Sequence, residues 1–117
     1  MTVMAIPELT RRRAEKLLQQ LIERRIPPRV RDQIRMSVEV RGNNVTLFEH
    51  RPVWRMPDEW TNGKTAQFRY NPATDRWTLY WSNRHGRWLL YEDTRPVADI
   101  APLIREVDED PVGAFWG

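Results

Sequence analysis

RWTLYWSNRHGRWLLY, Arg76 to Tyr91, gathers three of the chain's six Trp and two of its three Tyr into sixteen residues. Two alternating aromatic runs flank Asn83-Arg84-His85-Gly86, and the glycine supplies the positive φ that short hairpin loops need. The spacing predicts a β-hairpin with a four-residue turn. Pairing Ser82 with Arg87 sets Trp81 against Trp88 and Leu79 against Leu90 on one side, with Tyr80 meeting Leu89 and Thr78 meeting Tyr91 on the other. Both sides are partly apolar, so the ribbon is expected inside a sheet, with a core beneath and something to contact above.

Working outward, Lys64 to Tyr70 reads as the preceding strand, with Ala66, Phe68 and Tyr70 in phase. The turn formers Asn71-Pro72-Ala73-Thr74-Asp75 return the chain, which sets Tyr70 opposite Trp77, Phe68 opposite Leu79 and Ala66 opposite Trp81. Further upstream, Gln33 to Arg41 alternates Ile34, Met36, Val38 and Val40 with Arg35, Ser37, Glu39 and Arg41, the pattern of a half-buried strand. Gly42-Asn43-Asn44 turns it into a second strand, Val45 to Trp54, with Val45 and Leu47 on the face of Val38 and Val40. Pro52 and Pro57 are expected to end pairing and leave an irregular loop from Met56 to Gly63 that carries Trp60.

Helices are expected at both ends of this sheet. Ala14, Leu17, Leu18, Leu21 and Ile22 recur at the spacing of one helical face between Pro7 and Ile26, with Leu9 extending the stripe by a turn, and Pro27-Pro28 stops the helix. Its other face carries Arg11, Arg12, Arg13, Lys16, Arg24 and Arg25. Ala98 to Val107 reads as a short helix with Ile100, Leu103, Ile104 and Val107 inward and Pro102 in the first turn. Phe115 and Trp116, near the end of DEDPVGAFWG, are expected to dock on the body. The fold class is therefore α+β: an N-terminal helix packed on an antiparallel meander of about five strands, closed by a short C-terminal helix and an aromatic tail. A chain of 117 residues with 40% hydrophobic content fits one such domain, spanning 1–117.

Composition removes several classes of chemistry. There is no cysteine, which excludes disulfides, thiolate metal sites and cysteine nucleophiles. The two His, His50 and His85, are too few for a His-rich zinc site, and neither a metal nor another cofactor is expected. No apolar run is long enough to span a bilayer and the N-terminus lacks a signal-peptide pattern, so a cytoplasmic protein without a membrane partner is expected. Arginine supplies 17 of the 19 basic residues, the side chain that grips phosphate and carboxylate and stacks on planar groups. Residues 1–55 carry 12 basic and 6 acidic side chains, whereas 92–117 carry 2 and 7. Attraction between the ends would close the acidic segment over the basic half.

On the sheet face away from the core, arginines mix with planar side chains: Arg35, Arg41, Phe48, Arg69, Tyr80, Arg87 and Tyr91. Sheets that bind single-stranded nucleic acid are built this way, with aromatics stacking on bases and arginines holding phosphates. The leading expectation is a binding protein that contacts nucleic acid or a ribonucleoprotein through these seven residues. An ordinary solvated sheet face, with the C-terminal segment covering Tyr80, Leu89 and Tyr91, stands beside it. A second functional expectation is a protein-interaction or homodimerising module that pairs through a strand edge or the Trp60 loop. A third is a small nuclease: Glu49 as general acid/base with His50 and Arg51, or a metal-assisted version drawing on Asp108, Glu109 and Asp110, although their spacing matches no metal motif.

Four segments together carry a family likeness: PPRVRDQIR, Pro27 to Arg35; LFEHRPVW, Leu47 to Trp54; WTLYWSNRHGRW, Trp77 to Trp88; and VDEDPVGAFWG, Val107 to Gly117. With these the chain resembles a family of small bacterial proteins known only as a domain of unknown function. Glu49, Arg51, Pro52, Trp54, Tyr80, Trp81, Arg84, Trp88, Asp108, Asp110 and Gly113 match its motifs. The resemblance implies a free-standing bacterial domain whose DEDP segment belongs to the fold, and it implies no activity.

Overall fold

In the computed structural model, which describes residues 5–116, Pro7 begins and Ile26 ends the eighteen-residue helix α1 (Glu8–Arg25). The proline's fixed φ suits a helix start, and Pro27 allows no continuation. Ala14, Leu18, Leu21 and Ile22 are buried along one stripe. Leu9, expected to extend that stripe, is instead 80% exposed. It lies nine residues before Leu18, which at about 3.6 residues per turn is two and a half turns and puts it on the opposite side. Ile6, just outside the helix, fills the place and is buried.

After a single 3₁₀ turn at Pro28–Val30 the chain enters seven strands: β1 (Arg35–Arg41), β2 (Asn44–His50), β3 (Pro52–Val53), β4 (Met56–Trp60), β5 (Gly63–Asn71), β6 (Arg76–Ser82) and β7 (Trp88–Leu90). Five of them form an antiparallel sheet in the order β1-β2-β5-β6-β7, the meander the alternation predicts. The expected pairs Phe68 with Leu79, Tyr70 with Trp77 and Ala66 with Trp81 are all present, and Val38 and Val40, expected on the face of Val45 and Leu47, pair with Leu47 and Val45. Val45, Leu47, Ala66, Phe68, Trp77 and Leu79 are fully buried against the apolar stripe of α1 and against helix α2 (Ala101–Glu109), which contributes Leu103, Ile104 and Val107. Both helices cover the same face of the sheet.

Two expectations about the strands are corrected. β2 ends at His50, and Met56 to Gly63 is not an irregular loop: β3 and β4 pair as a small separate hairpin, with Pro52 opposite Trp60 and Val53 opposite Met56. Proline is tolerated here because this ribbon has open edges where a missing N–H costs nothing. Its two-residue turn is Trp54-Arg55, with Arg55 at φ 134° and Trp54 79% exposed at the tip. The ribbon is an arm on the sheet, and Thr61 N–H to Arg51 O, 2.8 Å, closes its base.

The second correction concerns register in the opening hairpin. Ser82 pairs with Trp88, not Arg87, so Trp81 faces Leu89 and Tyr80 faces Leu90. The loop holds three residues inside the Asn83–Arg87 closing pair. Asn83 N–H donates to Arg87 O at 3.0 Å, and Gly86 N–H donates to Asn83 O at 3.0 Å. The Asn83 side-chain oxygen also accepts the amides of His85 and Arg87, at 2.9 and 3.0 Å. Gly86, at φ 77°, is the extra residue of a turn followed by a bulge. One residue of slip sends every β7 side chain to the opposite face. Tyr91, expected outward, is buried, and its N–H donates to Leu79 O at 2.9 Å. Trp88 and Leu90, expected in the core, take the outward phase.

Tyr91 is thereby committed to the interior, where its ring lies 5.1 Å from that of Phe115 and its hydroxyl donates to Glu106 Oε2 at 2.6 Å. Burial first, and the Glu106 carboxylate second, push the hydroxyl well above the ordinary tyrosine range, so it stays a donor. Tyr91→Ala should cost about 3–5 kcal/mol in urea unfolding, the range for emptying a buried aromatic site, whereas Tyr80→Ala on the outer face should cost under about 1 kcal/mol. Equal, small losses would contradict the register.

Candidate nucleic-acid interface

Alternation along the strands carries Arg35, Ser37 and Glu39 of β1, Thr46, Phe48 and His50 of β2, Gln67 and Arg69 of β5 and Thr78 and Tyr80 of β6 to the face opposite the helices. At its centre Thr46, Gln67 and Tyr80 stand side by side on adjacent strands. Gln67, itself buried, donates through Nε2 to Thr46 Oγ1 at 3.0 Å and accepts Arg69 Nε at 2.7 Å. That bond holds the Arg69 guanidinium over Tyr80, 3.7 Å from the ring centroid. Cation–π contacts of this kind hold a guanidinium in place while leaving most of its N–H donors free.

The pattern repeats across the face. Arg35, held by Nε to the Arg31 carbonyl at 3.1 Å, lies 4.0 Å over the ring of Trp60 from the arm. Phe48 and His50 stack at 6.3 Å. The His50 ring bridges strands, with Nδ1 2.8 Å from the Thr61 carbonyl and Nε2 2.7 Å from Ser37 Oγ. A carbonyl can only accept, so Nδ1 carries a proton and in the neutral ring Nε2 accepts from Ser37.

Lys64 and Trp88 were not among the residues expected on this face. The ladder between β2 and β5 shifts between Leu47 and Phe48, pairing Leu47 with Ala66 but Phe48 with Lys64. Thr65 is the extra residue of the bulge, buried beside Ala66. The shift turns Lys64 outward, where its ammonium lies 5.6 Å over Trp88 and donates to Gly86 O at 2.7 Å. The sole sequence signal was Gly63, a glycine within a strand: a Cβ there would come within 3.1 Å of Glu49 O.

Charges divide by face. All five arginines of α1 meet carboxylates, Arg11 with Glu15, Arg12 with Glu8, Arg13 with Asp99, and both Arg24 and Arg25 with Asp108. The acidic C-terminal segment closes over α1, as the charge imbalance between the ends suggests, and leaves Tyr80 uncovered. On the outer face Arg35, Arg41 and Arg69 have no carboxylate within salt-bridge distance among the described residues. Arg87 is exposed but closes the loop opposite Asn83, outside β7. Of the seven residues expected to bind, Arg35, Arg41, Phe48, Arg69 and Tyr80 share the face, while Arg87 is displaced from it and Tyr91 is removed to the core.

Glu49, His50 and Arg51 are not brought together. Glu49 and Arg51 pair at 2.9 Å at the base of the arm, while His50 alternates to the opposite side of the strand. Among the described residues no three His, Asp or Glu side chains converge as a metal site. Asp108 and Asp110 have other work: Asp108 holds Arg24 and Arg25, and Asp110 accepts the amides of Phe115 and Trp116 at 3.1 and 2.9 Å. Gly113 takes the φ of 70° that this final turn requires. Arg25 lies 3.7 Å over the Trp116 ring, which fixes the tail. Gly117, the last residue of the VDEDPVGAFWG segment, lies outside the described residues.

An α+β domain with one helix-covered and one uncovered sheet face is the class these observations define. Residues 6–117 match the model of a domain of unknown function (DUF3024), and the chain belongs to that family. No curated protein and no solved structure matches it. No helix among the described residues is long and apolar enough to cross a membrane.

Arg13 grips Asp99 through both Nε and Nη2 at 3.0 Å, and that pairing, with the Ala101 amide, holds the Asp99 carboxyl below its ordinary 3.8. A depressed carboxyl stabilises the fold above its ordinary value and ceases to do so as pH falls through the lowered one. Asn keeps the contact to the Ala101 amide but loses the charge. Wild type should therefore melt above Asp99→Asn at pH 5 to 7 by a margin that closes below about pH 4; a constant margin would deny the ion pair a role.

Proposed function

We propose that the uncovered sheet face binds single-stranded nucleic acid, free or within a ribonucleoprotein. One observation carries the reading: arginines without carboxylate partners lie over aromatic rings on the sheet face that no helix covers. Arg69 on Tyr80 and Arg35 on Trp60 are pre-positioned cations, and Arg41 and Lys64 add charge at the margins. Phe48 and Trp88 supply further flat surface for stacking. A base stacked on such a platform is worth about 1–3 kcal/mol, and the sequence tolerance of stacking makes this a binder of strands rather than of a particular base order.

The proposal is one of binding, with no catalytic step assigned. It is tested with labelled single-stranded and duplex RNA and DNA across a salt series. Affinity for single strands should fall steeply with salt, and Tyr80→Ala should weaken it by about 5- to 150-fold, the equivalent of 1–3 kcal/mol. Arg35→Glu with Arg69→Glu should remove measurable binding near physiological salt, while Lys16→Glu on α1 should leave it unchanged. Affinity indifferent to both outer-face arginines, or lost equally with Lys16→Glu, would overturn the assignment.

A further inference from the structure

β1 and β7 end the sheet on its two sides, and the two edges differ. β1 places Arg35, Glu39 and Arg41 along its length, and charged side chains are a usual device against edge-to-edge pairing. β7 is Trp88-Leu89-Leu90, a strand without charge, with Leu89 40% and Leu90 49% exposed. Because Arg87 and Tyr91 direct backbone groups toward β6, alternation turns the N–H and C=O groups of Trp88 and Leu90 away from it. A groove of about 650 Å³ runs beside the strand, lined by Trp81, Leu89, Leu90, Val112 and Ala114.

The residues around this edge are complementary to themselves. From Arg84 to Asp93 the chain reads RHGRWLLYED, basic at one end, apolar in the middle and acidic at the other. Set antiparallel to a copy of itself about a two-fold axis near Leu89 and Leu90, it brings Arg84 and Arg87 of each chain toward Glu92 and Asp93 of the other. A parallel arrangement would set like charges together. None of these four side chains forms a salt bridge with another described residue of its own chain, and all four are exposed.

We propose that β7 is the interface of a homodimer: two copies pair their β7 edges antiparallel, joining two five-stranded sheets into one. Backbone bonds at Trp88 and Leu90 give the pairing, Leu89 on the helix-covered face and Trp88 and Leu90 on the outer face supply apolar contact across the seam, and two clusters of opposite charge set direction and register. The inference rests on the edge and not on the nucleic-acid reading. If both hold, the dimer presents two outer faces on one continuous surface, and a strand long enough to reach both gains from their linkage.

Sedimentation equilibrium of the purified full chain tests it. Wild type should reach a monomer–dimer equilibrium. Leu90→Lys places a charge on an exposed edge position, so the monomer should keep its fold by circular dichroism while dimerisation weakens at least about tenfold. Two charge variants give an independent reading. Arg84→Glu with Arg87→Glu, and Glu92→Arg with Asp93→Arg, should each be monomeric alone and should form a heterodimer when mixed. A wild type that stays monomeric at about 1 mM, a Leu90→Lys dimer of undiminished strength, or charge variants that fail to pair on mixing would each overturn the proposal.

Discussion

The Asn83 carboxamide, accepting two backbone amides across a three-residue loop, decides which side of the sheet each residue of β7 occupies. Tyr91 goes inward because of it and meets Glu106 of α2 and Phe115 of the tail. Those contacts hold α2 and the C-terminal turn on the same face as α1. There Asp99 and Asp108 reach the helix arginines. A sheet whose side chains alternate strictly leaves no intermediate arrangement: the opposite parity would put Tyr91 in water and two hydrophobic residues, Trp88 and Leu90, where Tyr91 and Leu89 now sit.

Two carboxylates of the C-terminal segment, Asp99 and Asp108, pair with arginines of α1, on the side of the sheet away from Arg35, Arg41 and Arg69. Where Arg25 lies over Trp116 the stack is enclosed between tail and helix and serves the fold. Where Arg69 lies over Tyr80 the stack sits on the sheet face away from the helices. The distance from guanidinium to ring is 3.7 Å in both places, but Arg25 is also paired with Asp108 whereas Arg69 is held by the neutral Gln67. Position relative to the helical layer separates structure from proposed function.

The bulge at Thr65 and the Asn83 loop each shift the ladder by one residue, and together they assemble a part of the outer face that alternation alone misplaces. Unbroken pairing would have left Lys64 and Trp88 pointing at the core. The residues expected to carry the family likeness acquire separate physical explanations. Asp110 and Gly113 shape the last turn, Glu49 and Arg51 pair at the foot of the arm, and Trp54 stands exposed at its tip. Residues that sit close in sequence, such as Glu49 and His50, are parted by the thickness of the sheet.

Hydrophobic periodicity in the sequence determined the two helices, the meander and nearly all of the core, because period 3.6 and period 2 are local properties that burial of one face enforces. It also placed Arg35, Arg41, Phe48, Arg69 and Tyr80 on one face, since each lies on a strand paired in the expected phase. Leu9 is exposed because its angle on the helix, and not its apolar character, sets the side it takes. The short arm escaped notice because its prolines are compatible with a ribbon open on both sides. Only the tertiary structure decided the parity of β7, the outward turn of Lys64 and the side on which the acidic segment docks. Single-residue bulges leave little trace in composition, and the partner of a charge is chosen by packing between elements more than eighty residues apart.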